Sequence, residues 1–267
     1  MLGNYAPGVS RIHPALLQPS RREGTLASIV RQPPLPLPPD LSPEQIRTVQ
    51  SFVDAYLHGA FPMAEPAPGP APMPGRQIDW FVPDPRAIIP LEGGPLGAFH
   101  LPRSLSRCLR SERFRLTTDQ AFSAVIRACA HPRPGREETW LDDRLIVCYE
   151  LLHRCGLAHS VEVWPAQEGP GAAPIGGIYG VHIGSVFCAE SMFCDPERGG
   201  SNASKVALAF LVRHLVRQGF RLLDVQIANP HTERFGVVEI TASEYRKRLD
   251  IVSRIPAYWG VLEPRWS

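Results

Sequence analysis

The chain has 267 residues, 44% of them hydrophobic, and a formal net charge of +2 at pH 7. This length provides the core of one large domain or two modest ones, and so mild a charge does not indicate a nucleic-acid-binding protein unless a local basic patch exists. The six cysteines form no CxxC pair and the chain has no apolar run of about 18 residues, which excludes a disulfide scaffold and predicts a cytoplasmic protein with reduced thiols, no metal centre and no membrane segment.

Residues 1–40 are rich in proline and arginine, a composition that disfavours a helix or a central strand and predicts a disordered leader. Ser42 followed by Pro43 indicates a helix start, because serine caps a helix N-terminus and proline is favoured at its first position. The sequence therefore predicts a helix from Pro43 to Leu57, closed by Gly59. The other features predicted for this small N-terminal domain of residues 41–97 are a Pro/Gly-rich loop at 66–75 and a strand at 88–91.

From residue 98 onward the hydrophobic periodicity becomes denser and alternates between helix and strand patterns. Helices are predicted at 103–110, from a cap at Asp119 through Cys129, at 145–153, and at 202–218 with Ser201 or Asn202 as its cap. Strands are predicted at 160–164, 175–179, 185–189 and 222–226. This order indicates an α+β fold with a mixed, acyltransferase-like sheet over residues 98–255, followed by a C-terminal tail at 256–267.

Two acidic residues stand among apolar neighbours in these predicted strands. Glu190 lies within Phe187-Cys188-Ala189-Glu190-Ser191-Met192-Phe193, and Asp224 follows Phe220-Arg221-Leu222-Leu223. Burying a carboxylate costs several kcal/mol unless it is paired or hydrogen-bonded, so these acids indicate a functional site. The alternative for each is an internal salt bridge.

Nine segments, in this order, resemble the leucyl/phenylalanyl-tRNA–protein transferase family over residues 41 to 249. They are Tyr56-x-x-Gly59-x-Phe61-Pro62-Met63, Trp80-Phe81-x-Pro83-Asp84-Pro85-Arg86, Phe99-His100, Thr139-Trp140, Ala158-His159-Ser160-Val161-Glu162-x-Trp164, Gly176-Gly177-x-Tyr179-Gly180, Glu190-Ser191-Met192-Phe193, Ala203-Ser204-Lys205 and Asp224-x-Gln226. Each motif alone is weak, but the ordered set is specific.

The resemblance implies an enzyme that moves Leu, Phe or also Met from aminoacyl-tRNA to proteins that begin with Arg or Lys, which marks them for degradation. It implies an acetyltransferase-like (GNAT-type) fold after a small N-terminal domain, a monomer, and no metal, ATP or other cofactor. The chain departs from the family pattern at Phe81, Ala189 and Val225, where members commonly have Trp, Gly and Cys. The first change bears on substrate preference, and Ala189 adds a methyl group beside Glu190.

The residues themselves support the same chemistry. Asp224 and Gln226 are two apart on a strand, so their side chains are expected on one face, with the Gln226 amide donating to Asp224 and its oxygen aimed at an incoming amine. Aminolysis of an activated ester needs an oriented, neutral amine rather than a protein nucleophile, so this pair is assigned to catalysis. Asp224 as a simple strand-end cap is the alternative.

Glu190 suits recognition of a cationic acceptor side chain, because a charge-assisted pair is stronger than a neutral hydrogen bond. The resemblance carries over a pocket for the aminoacyl side chain, composed of Trp80, Trp140, Ile178, Phe187 and Phe210. Each of these residues is individually as consistent with core packing as with a pocket.

The sequence also predicts a local basic patch of the kind that nucleic-acid binding requires. Arg103, Arg107 and Arg110 recur at i, i+4 and i+7 on one helix, and Arg113 and Arg115 follow. Such a stripe can contact tRNA backbone phosphates without reading sequence, although a solvated helix face has the same pattern. Arg213 and Arg217 form a weaker second candidate.

Two other function classes remain open. One is an acetyltransferase or a peptidoglycan-type aminoacyl transferase, for which Gly199-Gly200-Ser201 before a helix is a faint pyrophosphate-binding signal. The other is a non-catalytic module that binds tRNA or degrons. Retention of both Asp224 and Gln226 argues against the second.

Overall fold

The computed structural model describes residues 9–12, 37–66, 76–94, 97–132, 139–167, 172–229 and 232–266. Within them the strands are β1 Val9–Ile12, β2 Phe61–Pro66, β3 Arg76–Pro83, β4 Arg86–Pro90, β5 Phe114–Thr118, β6 Ala158–Pro165, β7 Gly176–Ile183, β8 Val186–Cys194, β9 Leu222–Gln226 and β10 Val238–Ile240. The α-helices are α1 Pro43–Leu57, α2 Arg103–Leu109, α3 Phe122–Ala130, α4 Asp143–Arg154, α5 Ala203–Arg217 and α6 Ala242–Val252, and a 3₁₀ turn spans Glu233–Phe235. The α+β class is confirmed.

The N-terminal part combines α1 with a three-stranded sheet in the order β1-β3-β2. Ser42 caps α1 as predicted: its side chain accepts from the Gln45 N–H, and the Gln45 side chain accepts from the Ser42 N–H. The leader prediction is wrong at residues 9–12, which pair with the edge of β3 as strand β1. Most of the leader and the loop predicted at 66–75 lie outside the described residues.

The larger sheet has seven strands in the order β10-β4-β9-β8-β7-β6-β5. Strands β5 to β8 form an antiparallel meander, and the pair of β8 with β9 is parallel while the other pairs are antiparallel. Strand β4 comes from the range predicted as the small N-terminal domain, yet it lies between β10 and β9. The first part of the chain therefore contributes directly to the sheet that carries the two predicted acids.

Two hydrophobic cores cover the two faces of this sheet, since alternate residues of β8 and β9 belong to different cores. Helices α1, α3, α4 and α6 pack on one face, called here the α1 face, and α2 and α5 pack on the other, called the α5 face. The C-terminal segment also joins the α5-face core through Ala257, Trp259 and Leu262. Among the described residues, no helix has the length and hydropathy needed to cross a membrane.

Two predicted helix caps differ from the structure. Asp119 does not cap α3: its carboxylate accepts from the backbone N–H of Ser160 and contacts His159 Nδ1 at 2.7 Å. Tertiary partners on β6 thus replace the expected local hydrogen bond. Asn202 occupies the cap position of α5 in a left-handed conformation (φ 68°), but its side chain makes no capping hydrogen bond.

Candidate active site

Strands β8 and β9 separate where the predicted acids lie. Their parallel pairing runs only from Val186 opposite Leu222 to Cys188 opposite Asp224. Just beyond, the register of β8 against β7 skips Glu190, and the register of β9 against β4 skips Val225. Such bulges insert an extra residue and redirect the neighbouring side chains. Beyond Cys188 and Asp224 the two strands are therefore unpaired, and the polar side chains of Glu190 and Gln226 lie at this break in the pairing, called here the gap.

Gln226 ends β9 in an unusual backbone conformation. Its φ is +62°, in the left-handed region that side-chain-bearing residues rarely occupy. Two hydrogen bonds hold it there: its backbone N–H donates to Asp224 Oδ1 at 2.9 Å, and its side-chain Nε2 donates to Glu190 Oε1 at 2.9 Å. Its side-chain oxygen accepts no hydrogen bond from the described residues, which leaves that oxygen available for a substrate.

The predicted contact between the Gln226 amide and Asp224 is wrong. The Val225 bulge and the left-handed turn at Gln226 direct its amide to Glu190, so only the backbone N–H of Gln226 reaches Asp224. The prediction assumed a regular strand, in which alternate residues share a face.

Glu190 is a buried carboxylate surrounded by donors rather than by cations. Besides Gln226, Tyr56 donates to its Oε1 at 2.8 Å and Tyr149 to its Oε2 at 3.2 Å. Burial raises the pKa of Glu190 to about 7, although the hydrogen bonds from Tyr56, Gln226 and Tyr149 lower it. Among the described residues no Lys, Arg or His forms an ion pair with it, so the internal salt bridge considered for Glu190 is absent from this part of the chain.

Tyr56 and Tyr149 come from α1 and α4, and their hydroxyls also lie 2.9 Å from each other. Both side chains are buried, and burial is the largest cause that raises the pKa of each phenol. The hydroxyls therefore remain protonated donors at neutral pH. They fix the Glu190 carboxylate from the α1 face.

Asp224, by contrast, is fully satisfied inside the protein. Arg86 donates to it through two nitrogens, Nε to Oδ1 at 2.9 Å and Nη2 to Oδ2 at 2.5 Å, and Tyr245 donates to Oδ2 at 2.7 Å. Burial is the largest single influence and lowers the pKa of Arg86, but the charge of Asp224, its hydrogen bonds with Arg86 and the neighbouring Tyr245 together raise that pKa above its usual range. The internal ion pair considered for Asp224 is therefore present, and this carboxylate has no exposed surface for a substrate.

The five residues predicted for the aminoacyl pocket do not come together. Trp80 belongs to the α1-face core, where it meets Phe52 edge-on at 5.1 Å, and Trp140 packs beside that core. The other three, Ile178, Phe187 and Phe210, lie in the α5-face core. The predicted pocket residues are therefore divided between the two core clusters.

The predicted basic stripe lies on the surface. Arg103, Arg107 and Arg110, called here the arginine stripe, are exposed and form no ion pair with a described residue. Arg113 and Arg115 are also exposed, but they lie over the rings of Phe114 and Trp164 at 4.5 and 5.0 Å. The remaining pair, Arg213 and Arg217, donates to the C-terminal segment, and Arg213 is buried, which argues against a role in phosphate binding.

One group of potential metal ligands lies outside the gap. Ligand atoms of Asp119, His153 and His159 lie within 4.8 Å of one another. His159 Nδ1 meets Asp119 Oδ2 at 2.7 Å, and His153 Nδ1 meets the carbonyl oxygen of Ala158 at 2.8 Å. These hydrogen bonds account for the arrangement without an ion, so we assign it a structural role.

Sequence reasoning missed four residues that organise the gap, namely Arg86, Tyr245, Tyr56 and Tyr149. Arg86 and Tyr56 do occur in the quoted motifs, which was the available signal. Nothing in the spacing of Tyr149 or Tyr245 indicates a site, because their partners are 41 and 21 residues away in the chain.

A family model and several known proteins match this chain, and they carry the same name. The family model described as leucyl/phenylalanyl-tRNA protein transferase matches residues 95–250. The relative of that name from Chlorobaculum parvum is 45% identical over 202 residues, covering 76% of this chain and 93% of its own. Those from Novosphingobium aromaticivorans and Nitrobacter winogradskyi are 45% and 41% identical over 204 and 215 residues, covering 76% and 80% of this chain and 70% and 87% of their own.

Proposed function

The chain belongs to the leucyl/phenylalanyl-tRNA–protein transferase family and is an aminoacyltransferase, and from this premise we propose its substrates. The donor is tRNA charged with leucine or phenylalanine, and also with methionine. The acceptor is the α-amino group of a protein that begins with Arg or Lys. The protein acts in the cytoplasm as a monomer and marks its acceptors for degradation.

The observation that carries this proposal is the Glu190–Gln226 pair in the gap between β8 and β9. Glu190 is a buried carboxylate that accepts hydrogen bonds but forms no ion pair with a described residue. A ligand that supplies a positive charge would therefore stabilise its ionised form strongly. Gln226 holds its free oxygen next to that carboxylate. A cationic first residue bound at Glu190 therefore places its own α-amine within reach of Gln226.

The reaction needs little more than orientation. The α-amine nitrogen forms a bond to the ester carbonyl carbon, the terminal ribose oxygen of the tRNA leaves, and one proton passes from the nitrogen to that oxygen. An α-amine has an ordinary pKa near 8, so a useful fraction is neutral at pH 7. Gln226 accepts a hydrogen bond from the amine and directs its lone pair at the ester, and such orientation supplies up to several kcal/mol of barrier reduction.

The protein groups in the gap are unsuited to covalent catalysis. Cys188 lies beside Asp224, and burial is the largest cause that raises the pKa of its thiol. The thiol is therefore protonated at neutral pH and is a poor nucleophile. Direct aminolysis, in which Asp224 acts through the backbone of Gln226, is the mechanism that these groups favour.

The arginine stripe is proposed to bind backbone phosphates of the tRNA, with Arg113 and Arg115 extending it. Its three guanidinium groups are exposed and unpaired with described acids, so neutralising phosphates with them breaks no internal ion pair. Either Trp80 with Trp140 or the Ile178, Phe187 and Phe210 group contacts the aminoacyl side chain. The separation of β8 from β9 in a mixed sheet also supports the proposed acetyltransferase-like fold.

Transfer of label tests the proposal. Purified protein is incubated without ATP with tRNA carrying labelled Leu, Phe or Met and with peptides that begin with Arg, Lys or Gln. Label is expected on the Arg and Lys peptides only. Label transferred only from acetyl-CoA would favour the acetyltransferase alternative, and tRNA binding without transfer would favour a binding module.

A further inference from the structure

Arg86 connects the two halves of the gap. It is the first residue of β4, its side chain is 1% exposed, and all its nitrogens face protein groups. Nε and Nη2 donate to the two oxygens of Asp224, Nη1 donates to the carbonyl oxygen of Gly59 at 2.6 Å, and the guanidinium lies 4.5 Å from the centre of the Tyr245 ring. None of these contacts reaches a substrate.

Each partner of Arg86 leads to one of the proposed substrate-contacting residues. Asp224 Oδ1, which accepts from Arg86, also accepts from the backbone N–H of Gln226. Gly59 follows the last turn of α1, and that turn carries Tyr56, the donor to Glu190 Oε1. One guanidinium thus fixes both the strand end that bears Gln226 and the helix end that supports Glu190.

We propose that Arg86 is a positioning residue for aminoacyl transfer, which sets the distance and angle between the Gln226 amide and the Glu190 carboxylate. The inference rests on the proposed function and goes beyond it by assigning a role to a residue that cannot touch either substrate. Arg86 acts through Asp224, so these two residues form one unit whose purpose is the left-handed geometry at Gln226.

Stability alone does not explain an arginine at this position. A buried ion pair is weak grounds for stability, because well-packed apolar replacements of both partners are often neutral or stabilising. Its value here is geometric, since the planar fork matches both carboxylate oxygens while a third donor remains for Gly59. Lysine carries the same charge but cannot form this fork, so Arg86→Lys is a sharp test of geometry.

Three variants separate positioning from folding. Arg86→Lys keeps the charge, and the double variant Arg86→Met with Asp224→Leu removes both charges and refills the space with apolar atoms. Arg47→Lys is the matched control, because Arg47 is an exposed residue of α1 without an ion pair to a described residue. For each, we would measure the melting temperature, the dissociation constant for charged tRNA, and the single-turnover transfer rate to an Arg-starting peptide.

Arg86→Lys should fold, bind charged tRNA within about twofold of wild type, and transfer about a hundredfold more slowly, the scale of effect expected from a misplacement near 1 Å. The double variant should melt at or above the temperature of Arg86→Lys and remain just as slow. It should also reduce the preference for an Arg peptide over a matched citrulline peptide, because the end of α1, which carries the Glu190 donor Tyr56, loses its hydrogen bond from Arg86 at Gly59. Arg47→Lys should match wild type throughout.

A double variant that recovers the transfer rate together with stability would show that Arg86 is only structural, as would a wild-type rate in Arg86→Lys. If Arg86→Lys does not fold, the double variant tests the Arg86–Asp224 pair as one unit, because it buries no charge. If the wild type is active and the variants transfer at the wild-type rate, only this inference is refuted. A wild type that transfers nothing refutes the proposed function, and this inference with it.

Discussion

Binding of an acceptor that begins with Arg should expel a proton from Glu190. In the free protein, burial raises the pKa of this carboxyl to about 7, and no described cation offsets that burial. A guanidinium supplies the missing charge and favours the ionised carboxylate. The pKa of Glu190 should therefore fall toward its ordinary value of 4.5 when the acceptor binds.

The magnitude follows from these two pKa values. With pKa values of about 7 free and about 4.5 bound, roughly half a proton is released per acceptor at pH 7, and about 0.9 of a proton at pH 6. The sign is set by the lower pKa of the bound state: affinity is highest above pH 7 and falls as the pH drops. Between pH 8 and pH 6 the loss should be about tenfold, or about 1.4 kcal/mol.

Isothermal titration calorimetry at pH 6, 7 and 8, in buffers of different ionisation enthalpy, measures this release. Two peptides that differ only in Arg or citrulline at the first position share the same α-amine, so the difference between them isolates the side-chain charge. In Glu190→Gln the difference should vanish, with Arg-peptide binding weaker by about 1.5 kcal/mol or more. Equal proton release from both peptides in the wild type would refute Glu190 as the group that reads the cation.

Three further predictions concern the tRNA, the chemical step and stability. Replacing all three residues of the arginine stripe with Ala should raise the KM for charged tRNA and reduce its logarithmic salt slope by roughly 2 to 3, unlike Arg47→Ala; an unchanged slope would leave the stripe a solvated face. Asp224→Asn and Gln226→Ala should each raise the barrier by about 2–4 kcal/mol in single-turnover transfer, and the double variant by little more; strictly additive losses would mean independent roles. Burial lowers the pKa of His182 to about 3 and of His214 to about 4, below the ordinary 6.5, so stability present above pH 6.5 is lost as pH falls. Each histidine should lower the free energy of unfolding by about 2 kcal/mol between pH 7 and pH 5, as measured by denaturant titration. A His214→Gln variant that loses as much unfolding free energy as the wild type over this range would contradict the prediction.

Local signals predicted much of the fold. Ser42, Pro43 and Gly59 define the ends of α1 because capping depends on residues within a few positions of each other. The burial of Glu190 and Asp224 also followed from their apolar neighbours. In each case the sequence nearby contained the physical cause.

The bulges and long-range contacts of the site could not be predicted in the same way. The bulges at Glu190 and Val225 depend on the register against β7 and β4, which no local pattern encodes. Arg86 and its partner Asp224 are 138 residues apart. Asp119 shows the same limit. Its local pattern predicts a helix cap, but its carboxylate contacts His159 on β6, 40 residues away in the chain.

The proposed reaction forms a peptide bond between an amino acid from tRNA and the α-amine of a cationic N-terminal residue. The most direct measurement is tandem mass spectrometry of an Arg-starting peptide after incubation with the protein and leucyl-tRNA without ATP. We predict one added leucine on the α-amino group, and none on the same peptide with an acetylated N-terminus. An unmodified peptide, or leucine attached anywhere other than that amine, would contradict the proposed reaction.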